Sequence, residues 1–241
     1  MSVSRMIEKQ VAMWNFNARQ GEPGHRPGRH RKDGVDYGPC LLFSSELGSG
    51  GTAIARIAGE RLGWPVFDRE IVDQIAQLAH VRKQLIESVD ERVRTKWEEV
   101  LYTVLQPGEV DSDLYMAYLH QVVMSLGHHG DVVIVGRGAQ HMLPSQCALR
   151  VRVVAPMNMR IERVTKVFGL TEPQARDRIR EMDSARAEFI RKSFHKDIGL
   201  PLNYDLILNT AEWGFEKSAG IVLAALEHKL GVVASATAVP A

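Results

Sequence analysis

One short stretch of this chain has the composition of an anion cradle: Ser44-Ser45-Glu46-Leu47-Gly48-Ser49-Gly50-Gly51-Thr52. It lies between an apolar run, Cys40-Leu41-Leu42-Phe43-Ser44, and a helix-forming run that opens at Thr52. Glycines in a strand-to-helix turn let successive backbone N–H groups approach a phosphate, and the helix start adds its positive end. The expected cradle is Gly48, Ser49, Gly50, Gly51 and Thr52, and the Thr52 hydroxyl is placed to ligate Mg²⁺. The bland alternative is a plain glycine turn. The general pattern G-x-x-x-x-G-K-[ST] fits only in part. With Gly50 and Thr52 in register, Ser45 falls at the first glycine and Gly51 at the lysine. The charge that a lysine directs at the β- and γ-phosphates must then come from another cation, or the site is slow or merely binds.

Other residues gain interest from their place after strands. Asp68 ends the run Pro65-Val66-Phe67 and could orient metal-bound water; as a helix N-cap it would need no further role. Arg137 follows the strongest β-branched run, Asp131–Val135, and suits a bidentate phosphate contact. Arg160 and Arg163 open a helix after the run Leu149–Val154 and could lie near donor phosphates. The charged stretch 171–194 carries Arg176, Arg178, Arg180, Arg186, Arg191 and Lys192, and some of these form a solvated face. His120, His128, His129 and His141 make no metal spacing on one helix face, and Asp111-Ser112-Asp113 lacks the rest of a calcium loop.

The elements that must position these residues follow from hydrophobic period. Short apolar runs at 40–44, 65–68, 131–135, 149–154 and 204–209 predict five strands. Between them, helical patterns cover Thr52 to Leu62, 69–105, Leu114–Leu126, 158–167, 171–194 and 213–230. In 69–105 the core positions are Ile71, Ile75, Leu78, Leu85, Ile86 and Val89. Strands alternating with helices imply a parallel sheet covered on both faces, with ligands at the carboxyl ends of its strands.

Before residue 39 the composition is different. Residues 1–38 hold seven Lys/Arg against four acids, while the whole chain of 241 residues carries a net charge of only +1. Met6, Ile7, Val11, Met13 and Trp14 predict a helix over 4–19; five glycines and two prolines predict a basic flexible linker over 20–38. The helix's apolar face suits docking on this domain or on a second copy or partner. The near-neutral balance argues against nucleic acid as partner. No apolar run approaches the ~18 residues of a membrane span, and the N-terminus has no secretory pattern. Two cysteines, Cys40 and Cys147, make no disulfide framework, so the expected location is cytoplasmic. The tail 231–241 is expected to fray.

The loop 45–51, with Ala55-Arg56 and Leu62-Gly63-Trp64-Pro65-Val66-Phe67-Asp68, resembles the opening of the cytidylate kinase-like family, among the P-loop nucleoside monophosphate kinases. The resemblance continues at Gly136-Arg137-Gly138-Ala139, at Val151–Pro156 with Arg160 and Arg163, at Met182–Arg186 and at Tyr204–Thr210, covering about residues 39–230. It implies a three-layer α/β/α fold with a five-stranded parallel sheet and the transfer of the γ-phosphoryl group of ATP, with Mg²⁺, to a nucleoside monophosphate, CMP or dCMP first. It also accounts for the lysine-free loop, which the family commonly writes Gly-Ser-Gly-Gly. Asp68 would face the acceptor, Arg137 would touch it, and Arg186, paired with Asp183, would belong to a mobile lid, with Arg191 second. Gly138 stands where true cytidylate kinases have Asp. The rival reading is a nucleotide-binding regulatory module with little turnover, and a third is a kinase of a non-nucleotide acceptor.

Overall fold

The computed structural model describes residues 30–32, 35–69 and 112–233, with side chains over 36–69 and 115–233. The helix expected at 4–19 lies outside these residues, as does that expected over 69–105 beyond its first residue, with the six core positions from Ile71 to Val89. The chain passes through β1 (His30–Lys32), β2 (Val35–Tyr37), β3 (Cys40–Ser45), α1 (Gly51–Leu62), β4 (Val66–Phe67), α2 (Ser112–His129), β5 (Val132–Val135) and α3 (Ala139–Met142). It continues through β6 (Ala148–Val154), α4 (Met157–Phe168), α5 (Glu172–Phe194), a 3₁₀ turn (Pro201–Asn203), β7 (Leu206–Asn209) and α6 (Gly214–Leu230).

Strands β4-β5-β3-β6-β7 form one parallel sheet in that order. The central strand β3 is therefore the one that feeds the glycine loop. Leu41 and Phe43 face α1 and α6 on one side, with Val133, Val151 and Leu208 beside them. Cys40 and Leu42 face α2 on the other, with Leu119, Leu126 and Ile134. Both faces of β3 are covered, which is why its sequence is continuously apolar. On β6 the alternation differs: Leu149, Val151 and Val153 are buried, while Arg150 and Arg152 between them are half-buried. The register sets Arg152 beside Ser44 and Val153 beside Ser45.

The linker expectation fails over its last residues. His30–Lys32 pairs antiparallel with Val35–Tyr37, and Tyr37 is buried with its ring stacked on His128. Composition alone hid the pairing, because its anchor is an aromatic contact 91 residues away in sequence. The short helix α3 also went unpredicted: Gly138 caps it in the left-handed region, and four residues carry no period.

Candidate phosphate-binding site

The loop after β3 is wound by its glycines. Gly48 and Gly50 have φ of 81° and 92°, which bends the backbone into the concave form that gathers N–H groups. A side chain at Gly48 would meet the Arg160 carbonyl at 2.8 Å, and one at Gly50 would overlap the Phe215 ring. No protein acceptor among the described residues takes the N–H of Gly50, Gly51 or Thr52. These groups lie at the start of α1, where backbone N–H groups are free to take an anion. Thr52, half-buried, stands at that helix start.

The carbonyls of the same loop turn the other way, onto arginines. Arg163 Nη1 donates to the carbonyls of Gly48 and Ser49, each at 3.2 Å, and to Thr210 Oγ1 at 2.9 Å. Its guanidinium lies 5.0 Å from the Phe215 ring centre. Arg160, 4% exposed, donates Nε to Leu47 O at 2.8 Å and pairs with Glu46 and Asp183. Asp183 also accepts from the Leu47 N–H at 2.9 Å. Arg186 Nη1 donates to Ser45 O at 2.7 Å, and Arg152 Nη1 donates to Ser44 Oγ at 2.8 Å. Every residue from Ser44 to Ser49 except Glu46 is thus held through a carbonyl or hydroxyl by a guanidinium, and Glu46 pairs with one through its carboxylate. Four guanidiniums meet two carboxylates, Glu46 and Asp183, so the loop sits in net positive charge. Burial lowers the pKa of Arg186, and Arg69, Arg152 and Arg160 push the same way against Asp183. The group stays charged, because an arginine pKa starts so high.

Arg160 and Arg163 therefore brace the loop from behind, through its carbonyls. Asp68, just past β4, pairs with Arg56 of α1 at 3.3 Å. Arg137, with φ of 55°, holds its guanidinium 5.8 Å from the Tyr115 ring centre and 5.4 Å from that of Phe189. Gly138 next to it has φ of 70°, and a side chain there would overlap the Phe194 ring. An acid cannot be accommodated at 138 while Phe194 is in place. Sequence reading missed Phe215, and gave no role to Arg152, Tyr204 and Thr210 although they lie in the stretches that carry the family resemblance. For Arg152 the alternation of β6 was a further signal, since charged residues recur there between buried apolar ones.

A glycine loop between the central strand and the first helix of a parallel α/β sheet, wrapped by arginines, is the arrangement of α/β folds that take a ligand at the carboxyl ends of their strands. The family model described as the cytidylate kinase-like family matches residues 42–212, and the chain belongs to that family. It is 29% identical over 194 residues to the cytidylate kinase of Pyrococcus horikoshii, covering 78% of this chain and 88% of that one. It is 29% identical over 196 residues to the cytidylate kinase of Pyrococcus furiosus, covering 78% and 90%. A crystal structure of an uncharacterized protein from Eubacterium ventriosum shares the fold, with a TM-score of 0.61 at 15% identity over 78% of this chain and 98% of that one. At the level of the family, the chain belongs among nucleotide kinases. No helix among the described residues is long and apolar enough to cross a membrane.

Proposed function

We propose that this chain is an ATP- and Mg²⁺-dependent kinase that transfers the γ-phosphoryl group to a nucleoside monophosphate, with CMP and dCMP the first acceptors to consider. One observation carries the reading. The loop turns its carbonyls onto arginines and keeps the N–H groups of Gly50, Gly51 and Thr52 for an anion. In the transfer, an acceptor phosphate oxygen bonds to the γ-phosphorus as its bond to the β–γ bridging oxygen breaks, and ADP leaves with that electron pair. Such a step asks the protein for position and positive charge. Gly48 to Thr52 would cradle the donor phosphates, while Arg137 and Arg186 would clamp the acceptor and transferring groups. Arg160 and Arg163 would set the cradle's shape.

The residues present fit Mg²⁺. That ion takes one or two protein oxygens and fills its shell with water and phosphate oxygens. Thr52 at the helix start and Asp68, whose side chain is 18% exposed and pairs with Arg56, would supply that much; no group of three His, Cys, Asp or Glu suited to a metal occurs among the described residues. The bound ion would neutralise phosphate charge. The N-terminal residues before β1 would serve a second copy or a partner, and the chain would work in the cytoplasm.

The test is a coupled ADP-release assay with ATP, Mg²⁺ and a panel of CMP, dCMP, UMP, AMP and GMP. Turnover of one monophosphate, reduced about 100-fold in Arg137→Ala, is expected. No turnover with any acceptor, beside tight ATP binding, would favour the regulatory module or a non-nucleotide acceptor.

A further inference from the structure

Residue 51 is where a phosphate loop ordinarily carries its lysine, and residue 45 is where it carries its first glycine. Here the two are exchanged in size. A Cβ on Gly51 would overlap the Cβ of Ser45 and lie 2.8 Å from Ser45 Oγ and 3.6 Å from Val153 Cβ. The Ser45 side chain occupies the space in which a lysine stem would begin. Residue 51 must stay bare as long as residue 45 is not.

The charge has a different source. Arg152 reaches Ser44 Oγ from β6, and Arg186 reaches Ser45 O from α5, so two guanidiniums come to adjacent residues at the root of the loop. Each uses one nitrogen on these oxygens, and a guanidinium has five N–H donors. Among the described residues Arg152 has no carboxylate partner, and its guanidinium lies 6.0 Å from the Tyr204 ring centre. Arg186 has Asp183 at 3.8 Å, but Asp183 is already bonded to Arg160 and to the Leu47 N–H. Arg152 is also among the charges that lower the Arg186 pKa. Two like charges brought together with so little carboxylate between them are arranged for an anion.

We propose that Arg152 and Arg186 together replace the loop lysine on the terminal phosphates of the donor, and that Ser45 and Gly51 are a paired exchange which makes this possible. This deepens the kinase reading and rests on it. A guanidinium that contacts the terminal phosphates must discriminate between ATP and AMP, whereas one that only shapes the sheet must not.

The experiment titrates the full chain with ATP and with AMP, each with Mg²⁺. Arg152→Ala should weaken ATP about tenfold or more while changing AMP less than twofold, and Arg152→Lys should recover part of the loss. Gly51→Lys should lower the Tm, and Ser45→Gly in the same chain should restore it. The combination Ser45→Gly, Gly51→Lys and Arg152→Ala should regain most of the ATP affinity. Equal weakening of ATP and AMP, no weakening at all, or failure of a folded triple variant to recover ATP affinity would overturn the inference. So would a Gly51→Lys variant as stable as the parent. No ATP binding by the unmodified chain would instead overturn the kinase reading itself.

Discussion

Arg160 shows how a residue can matter to a phosphate site without facing the phosphate. Its side chain is 5% exposed, and it ties Glu46, Asp183 and the Leu47 carbonyl to one rigid fork. Removing it would take the guanidinium from Glu46 and leave Asp183, among the described residues, with only the more distant guanidinium of Arg186, at 3.8 Å. Arg160→Ala should therefore destabilise the protein by about 2 kcal/mol, below the 3–5 kcal/mol typical of a fully buried pair because both acids are about a quarter exposed. ATP affinity should fall with it, since the cradle loses its backing. Urea unfolding and ATP titration would check the two effects; an unchanged midpoint would refute the bracing role. Gly138 sets a second test. Gly138→Asp restores the acid of the resembled motif, but at φ of 70° and against the Phe194 ring it should cost about 1–3 kcal/mol. It should also fail to raise turnover of CMP. Adding Phe194→Ala removes the overlap and should recover part of the stability, read from the same unfolding curves.

Helices α4 and α5 form a unit of their own beside the sheet. Ile161, Val164, Ala175 and Ile179 make a small buried cluster, with Leu47 and Leu170 packed on it. Thr171 starts α5 with a capping box, its N–H donating to Gln174 Oε1 at 2.9 Å, and Pro173 follows in the first turn. Leu47 belongs to the loop itself, so the cluster couples the helix pair to the cradle. A small core is the first to open, because few apolar groups hold it. Ile179→Ala, at a site with no exposure, should cost about 2–4 kcal/mol and raise amide exchange in α4 and α5 well before the sheet. Exchange that rose equally in β3 and β5 would count against a separate unit. The charged pattern of 171–194 announced the helix, but not which charges face inward. Arg176, Arg178 and Arg180 are exposed, while Arg186, six residues on, is directed at Ser45.

Across the molecule, pH should act in two windows. His141 sits beside Phe194, and burial, then Lys196 and Arg150, lower its pKa. His120 is lowered by burial alone. A histidine kept neutral in the fold but free to protonate when unfolded contributes fully above about pH 6.5 and loses that contribution as pH falls. The Tm should therefore drop between pH 7.5 and pH 5.5, and His141→Phe should flatten that drop. Asp205 provides the second window. Burial raises its pKa, but bonds from Arg150 and Lys229 outweigh this and leave it lowered. Its contribution is present above about pH 4 and lost as pH falls further. It clamps the start of β7 to β6 and α6, with Arg150 Nη2 at 2.8 Å and Lys229 Nζ at 2.6 Å. Thermal melts from pH 3 to 8 would read both windows; a Tm flat between 7.5 and 5.5 would refute the histidine assignment.

Much was legible in the sequence because it is local. Strand runs such as Val132–Val135, the glycine turn after Ser45 and the Thr171 helix start each depend on residues within a few positions, where steric and hydrogen-bonding preferences act directly. The order of the strands along the sheet was not local. Neither was the pairing of Tyr37 with His128, nor which loop atoms the singled-out arginines Arg160, Arg163 and Arg186 would meet. Arg160 meets Leu47 across 113 residues, and Arg186 meets Ser45 across 141. A periodic pattern tells which residues share a face, not what that face will meet. By itself the sequence determined that a glycine loop of phosphate-cradle composition follows a sheet strand and that it carries no lysine at residue 51. Only the tertiary structure decided that the Ser45 side chain stands against Gly51 and that guanidiniums from β6 and α5 reach Ser44 and Ser45, because both depend on packing between segments that no local preference connects.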